Sequence, residues 1–177
     1  MTTTAPPRQR PRTTGRPVPR WAVIAAHVAA LTPVLSSLWR LPLMFGIAMG
    51  MDDAFMDDMM SHPLWARAAY LVGLGMLSDG LAFLTIGLVR PWGEVFPRWV
   101  PVLCGRRIPV LAVVVPAVIG GLAATMVFTV AGPLGWPGNF DGVDGWTVMM
   151  TACYAPLVLW GPLVLAVTFS YWRRRRA

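Results

Sequence analysis

The sequence predicts an all-α fold, an integral membrane four-helix bundle with a short outer re-entrant or interfacial helix. One observation is composition, since 56% of the 177 residues are hydrophobic, above the usual share in soluble domains. The other is the distribution of charge around four long apolar stretches. Thirteen of the fifteen arginines lie on one side of these stretches, and six of the eight acidic residues lie on the other. Arginine flanks the cytoplasmic ends of membrane helices, so we expect a multi-pass plasma-membrane protein with both termini cytoplasmic.

The first element is an N-terminal segment, residues 1–20, that is rich in Thr, Pro and Arg. It has too little apolar surface to support a packed core, so we predict a disordered basic cytoplasmic tail. The first span follows from Trp21 to about Trp39 and is long enough to cross roughly 30 Å of hydrocarbon. Pro33 lies inside this span and should free a backbone carbonyl that a neighbouring helix must satisfy.

The segment after the first span begins with an apolar stretch, residues 41–51, that is too short to cross the bilayer. An acidic stretch, residues 52–63, comes next. Met51, Phe55 and Met59 recur at every fourth position, which places them on one face of a helix. We therefore predict a re-entrant or interfacial helix at the outer membrane surface.

The second span runs from Trp65 to Val89 and repeats glycine every seven residues, at Gly73, Gly80 and Gly87. A stripe of this kind lets another helix approach closely, so it predicts a helix–helix partner.

The third span covers about Pro109 to Val130, where Gly120 and Gly121 are expected to pack against another helix. The fourth span runs from Trp146 to Trp172. The predicted domains are the tail (1–20), the transmembrane domain (21–172) and a basic cytoplasmic C-terminus (173–177).

Charge and cysteine content also limit the partners. In a soluble protein a pI near 11.0 would favour nucleic acid, but here the arginines flank apolar spans. We therefore expect the lipid bilayer and its anionic headgroups as partners, and no nucleic acid.

Cys104 and Cys153 fall in a predicted loop and a predicted span, so we expect no disulfide between them. The chain has no P-loop, GxSxG, HExxH or zinc signature, and we expect no cofactor.

Asp79 is the most informative single residue because it lies near the middle of the second span. An intramembrane carboxyl group costs about 2.5–3.5 kcal/mol on insertion scales, so it usually faces protein and either bonds a neighbouring helix or has a function. Counting about 1.5 Å per residue places Trp160 at nearly the same depth and His27 within reach. By the same count Arg40 lies more than about 10 Å away in depth.

Two interpretations are possible for the roles of several other residues. His27 either bonds a neighbouring helix or polarises Asp79, and Tyr154 and Trp160 either pack or line a cavity.

The outer acidic loop also has two possible interpretations. Its carboxylates have a spacing that can hold magnesium, and its methionines with His62 are ligands that Cu(I) prefers. The alternative is a solvated acidic loop beside a methionine-rich helix. Spacing does not define a coordination geometry, so we assign no metal-ligand residues. The acidic residues concerned are Asp52, Asp53, Asp57 and Asp58, and the methionines are Met49, Met51, Met56, Met59 and Met60.

Three stretches carry a resemblance to known proteins: LSSLWRLPLMFG (35–46), LVRPWGEVFPRWVPVLCGRRIPV (88–110) and YAPLVLWGPLVLAVTFSYWRRRR (154–176). With them the chain resembles small four-helix inner-membrane proteins of GC-rich actinobacteria, whose motifs are tied to no reaction. In size and in its intramembrane acid it is also distantly similar to bacterial membrane terpene cyclases of the drimentine type. That similarity implies acid-initiated cyclisation of a prenyl chain dissolved in the bilayer.

This reaction would give the candidate residues definite roles. Asp79 would donate the proton and His27 would polarise it, and both are therefore predicted catalytic residues. Aromatic ring faces stabilise cationic intermediates, so a substrate-binding set is predicted around them. Two alternatives stay open, a non-enzymatic membrane accessory protein and a copper-handling protein that uses the outer loop. The substrate-binding set consists of Trp160, Tyr154, Phe83, Met76 and Arg40.

Overall fold

The computed structural model describes residues 17–93, 108–132 and 144–176, and within these ranges it contains helices and no strand. The predicted tail up to residue 16, Cys104, Asp141 and Ala177 lie outside the described residues. The helices are α1 (Arg20–Arg40), α2 (Asp53–Ser61), α3 (Leu64–Gly87), α4 (Val110–Thr125, continued by a π-helical turn, Met126–Ala131), α5 (Gly145–Tyr154) and α6 (Leu157–Arg176). Short 3-10 turns cover Pro42–Phe45 and Pro91–Gly93.

Among the described residues, four helical stretches are long and apolar enough to cross a membrane: Arg20–Phe45, Leu64–Gly87, Val110–Ala131 and Gly145–Arg176. The all-α prediction and the four apolar spans are confirmed at this level. A short helix, α2, also forms in the segment where an outer interfacial helix is predicted. Asp52 caps its N-terminus, since its carboxylate accepts a hydrogen bond of 2.6 Å from the Phe55 backbone N–H.

Helix α1 is the centre of the bundle and packs against both α3 and α6, while α4 packs against α6. Its buried face carries small side chains, and Ala22, Ala26 and Ala29 have no solvent exposure. Small residues let helix backbones approach closely, which is the main source of helix association when lipid surrounds the helices. Helices α3 and α4 make little direct contact, so the bundle is open between them.

Pro33 and Pro162 both lie inside helices, and each removes one backbone donor. Pro33 leaves the Ala29 carbonyl without its usual N–H, and the Thr32 hydroxyl of the same helix donates to that carbonyl at 2.8 Å. The expectation that a neighbouring helix satisfies it is therefore wrong. That arrangement occurs instead at Pro162, because Thr129 in the π-helical turn donates to the freed carbonyl of Val158 at 3.2 Å.

Helices α4 and α6 cross at two glycines. A Cβ atom built on Gly161 would lie 2.5 Å from the Thr125 backbone nitrogen and 2.7 Å from the Gly121 carbonyl oxygen. Gly121 in turn is covered by Val164 and Leu165. The expected packing role is met by Gly121, whereas a Cβ atom on Gly120 would have no neighbour within 4 Å.

The arginine-rich end of α6 holds the end of α3. Arg174 is buried and donates to the Leu88 carbonyl at 2.7 Å, and the Tyr171 hydroxyl donates to the Gly93 carbonyl at 3.2 Å. Carbonyls at a helix C-terminus have no partner within the helix and carry partial negative charge, so a guanidinium group caps them favourably.

Candidate functional site

Asp79 lies between α1 and α3 and is partly buried. Its carboxyl oxygen accepts a hydrogen bond of 3.1 Å from the Ser37 hydroxyl. Ser37 also lies against Gly75, one turn earlier on α3, where a built Cβ atom would be 3.4 Å from the serine oxygen. The missing side chain at Gly75 therefore leaves room for Ser37 to reach the acid.

His27 does not meet Asp79. Its Nδ1 lies 2.7 Å from the Val23 carbonyl oxygen of its own helix, so Nδ1 carries the proton and donates. Ten residues, about 15 Å of helix, separate His27 from Ser37. The depth count assumed that the helices start at one plane. The actual register puts His27 farther from Asp79 than counted and Arg40 closer.

Arg40 and Tyr154 come together at the end of α1. The Arg40 Nε donates to the Tyr154 hydroxyl at 2.9 Å, and the guanidinium carbon lies 5.4 Å from the centroid of the tyrosine ring. Both residues line a cavity of about 200 Å³, which we call the outer cavity. Its other walls come from the segment before α2, from α2 itself and from the first half of α3, namely Leu43, Met51, Asp52, Phe55, Met59, Tyr70, Leu71 and Leu74.

Trp160 lines a second and larger space of about 490 Å³ between α3 and α4, with α6 as its floor. We call it the α3–α4 groove. Its walls are almost entirely apolar, and Trp92 is one of its lining residues. The indole Nε1 of Trp160 is buried and has no hydrogen-bond partner among the described residues. Small and apolar residues line it, among them Ala112, Ala117, Gly120, Leu84 and Val164.

Phe83 and Met76 face outward from α3, with 58% and 72% of their surfaces exposed. Phe83 stacks on Trp92 with 5.9 Å between the ring centroids. Neither residue lines the groove or the outer cavity. The predicted substrate-binding residues are thus divided among three places, and Asp79 lies outside the lining of both spaces.

Four of the five methionines of the outer loop serve as packing residues, and the fifth, Met60, is exposed. Met49 and Met56 are buried in a cluster with Trp39, Leu43 and Met150, and Met51 and Met59 pack against it. Flexible thioether side chains fill irregular gaps in this way. Within the described ranges no group of three or more His, Cys, Asp or Glu side chains is arranged to hold a metal ion.

Only part of the glycine stripe of α3 is open to a partner helix. Cβ atoms built on Gly73 and Gly80 would meet nothing within 4 Å, whereas one on Gly87 would lie 2.7 Å from the Trp92 ring. A helical partner through all three glycines would therefore have to displace Trp92.

Ser37 is the residue that sequence reasoning misses at the intramembrane acid. The signal was available, since Ser36 and Ser37 are adjacent polar residues in an apolar span. The small residues of α4 that form the groove wall give no such signal, because alanine and glycine are equally common at packed helix contacts. Comparison with protein-family models, curated proteins and solved structures gives no match to this chain.

Proposed function

We propose that this chain is a multi-pass plasma-membrane protein, with both termini cytoplasmic, that binds an isoprenoid or similar apolar chain in the α3–α4 groove. The observation that carries the proposal is the groove itself. Its volume of about 490 Å³ falls within the range of about 300–1,000 Å³ typical of small-molecule sites. Its apolar walls suit a hydrocarbon chain. The gap between α3 and α4 gives such a chain a lateral path from the bilayer.

Orientation rests on the arginines. Arg20 lies at the start of α1, Arg90 lies just after α3, and four arginines, Arg173–Arg176, end α6. Among the arginines that the structure describes, only Arg40 and Arg67 lie at the opposite end. Fusions of alkaline phosphatase and of green fluorescent protein to each terminus and to the α2 segment test this orientation. A terminal fusion with phosphatase activity would contradict it.

Binding in the groove is tested with a photoreactive farnesol analogue and the full chain in lipid nanodiscs. We expect labelled peptides from α3 and α4, and competition by unlabelled farnesol. Ala117→Trp fills the groove and should lower labelling severalfold. Ala123→Trp is the matched control, because Ala123 is exposed on the same helix and does not line the groove. Equal labelling of both variants would contradict the proposal.

Acid-initiated cyclisation is a narrower proposal, and the presence of an intramembrane carboxyl group favours it. Asp79 would have to protonate a chain that enters between α1 and α3, because it does not line the groove. Turnover of farnesylated substrates by the purified protein tests it. We expect Asp79→Asn to abolish product formation, and equal turnover would remove the proposed role of this acid.

A non-enzymatic accessory role would use the surface instead. The open face of α3 at Gly73 and Gly80 is where a partner helix would approach. A stable partner recovered with the wild-type chain and lost with Gly80→Leu would favour this role over ligand binding.

A further inference from the structure

The outer cavity combines one cation with an otherwise largely apolar wall. Arg40 lies at the end of α1, and the walls around it are mostly Leu, Met and aromatic side chains. Its volume of about 200 Å³ exceeds by more than tenfold the ~10–15 Å³ that one water molecule needs. A group of several atoms therefore fits beside the guanidinium.

The guanidinium group is only partly satisfied. Nε donates to Tyr154, but Nη1 is buried and finds no acceptor in the described part of the chain. Arg40 forms no ion pair with a carboxylate of the described residues. Tyr154 holds Nε in place. Because Nη1 is enclosed, an incoming acceptor has to reach the guanidinium from its partly exposed side, where Arg40 lines the cavity. Guanidinium groups present a rigid fork that matches phosphate and carboxylate oxygens.

Asp52 limits how much negative charge the cavity accepts. Its carboxylate lines the cavity and already accepts the Phe55 backbone N–H at the start of α2. One cation faced by one nearby carboxylate disfavours a doubly charged anion such as a terminal phosphate. A singly charged phosphodiester suits the site better.

We propose that the outer cavity binds the phosphodiester of a membrane phospholipid, with Arg40 as the phosphate-binding residue and Tyr154 as the residue that orients it. A lipid is a better occupant than free phosphate because apolar side chains form most of the wall and suit the start of an acyl chain. The inference rests on the proposed membrane insertion but not on the groove, whose lining shares no residue with this cavity.

Native mass spectrometry of the full chain in detergent, titrated with phosphatidylglycerol, tests the proposal. We expect one tightly bound lipid per chain, and about tenfold weaker binding for Arg40→Gln, the size of effect that loss of a charge-assisted hydrogen bond gives. Arg67→Gln is the matched control, because Arg67 is the other arginine at this end and does not line the cavity. Equal affinity of the two variants would overturn the proposal.

Two further ligands separate the possible occupants. Diacylglycerol has the same chains without the phosphate and should not compete. Inorganic phosphate should not compete either, and displacement of the lipid by millimolar phosphate would show a free-anion site instead.

Two further variants keep the test decisive if Arg40→Gln does not fold. Arg40→Lys keeps the charge without the fork and should bind severalfold more weakly. Asp52→Asn keeps a good helix N-cap but removes the nearby negative charge, so it should bind more tightly. Unchanged binding in Asp52→Asn would overturn the role of charge, and unchanged binding in Arg40→Lys would overturn the role of the guanidinium fork. If Arg40→Gln keeps its groove labelling, the lipid site in the outer cavity and the α3–α4 groove are independent of each other, and each proposal can be contradicted without the other.

Discussion

The Ser37 hydroxyl lies 3.1 Å from a carboxyl oxygen of Asp79, and this contact joins α1 to α3 within the apolar part of both helices. An interhelical hydrogen bond in a membrane protein contributes about 0.6 kcal/mol on average and up to about 1.7 kcal/mol. The acid therefore has a structural role in the helix pair whether or not it also has a chemical one.

Replacing Ser37 separates these two roles. We expect Ser37→Ala to lower the free energy of unfolding by about 0.6–1.7 kcal/mol, since it removes one interhelical hydrogen bond. Asp79→Asn keeps an acceptor for Ser37 and should unfold like the wild type. Unfolding in mixed micelles titrated with sodium dodecyl sulfate measures both. Ser78→Ala is the matched control, because Ser78 bonds only carbonyls of its own helix, Leu74 and Gly75.

Gly161 lies where α6 approaches the α4 backbone closely. A methyl group at this position would collide with the α4 backbone, which cannot give way as a flexible side chain can. We expect Gly161→Ala to cost about 1–3 kcal/mol of unfolding free energy, as overpacking does elsewhere. Gly73→Ala adds the same methyl group in open space and should be neutral or stabilising. If both variants unfolded alike, the close crossing of α4 and α6 would be wrong.

Thr32 compensates for the donor that Pro33 lacks. We expect Thr32→Val to cost about 1 kcal/mol, because the freed Ala29 carbonyl is then buried without this donor. Adding Pro33→Ala restores a backbone N–H, so the double variant should regain most of that loss. Thr168→Val provides the comparison, since Thr168 also donates to a helix carbonyl, that of Val164, which no proline frees. A double variant less stable than Thr32→Val would contradict this account.

We expect the N-terminus of α5, which Asp144 caps, to be less stable in acid. The Thr147 backbone N–H donates to its carboxylate at 2.8 Å, and this bond, with a second from the Thr147 hydroxyl, holds the pKa of Asp144 below its ordinary value of 3.8. A lowered pKa means that the folded state favours the ionised form. The stabilisation is thus present above pH 3.8 and is lost as the pH falls through the lower folded value.

Melting temperatures of the wild type and of Asp144→Ala at pH 7 and at pH 2.5 test this. The difference between the two proteins should be largest at pH 7 and should shrink in acid. A difference that grows in acid would mean that the neutral form makes the cap. The effect should be small, because Asp144 is exposed.

Periodicity and charge were sufficient to predict the helices, because hydrocarbon length and arginine flanks constrain a membrane span strongly. The contacts between helices were not predictable in the same way. One interpretation of His27 placed it beside Asp79, but depth counting fixes neither helix rotation nor relative register. Likewise, the small residues of α4 look alike in sequence whether they pack, as Gly121 does, or line open space, as Gly120 does.

Threonine hydroxyls replace the backbone donors that are lost at Pro33 and Pro162. The residue type at position 32 therefore depends on that at position 33, and the residue type at 129 depends on that at 162. Loss of either proline restores the backbone N–H and should be tolerated with or without the threonine, whereas loss of either threonine should be tolerated only after the proline has been replaced. Related chains should therefore show correlated changes at positions 129 and 162. Such covariation would support the contact between α4 and α6 from sequences alone.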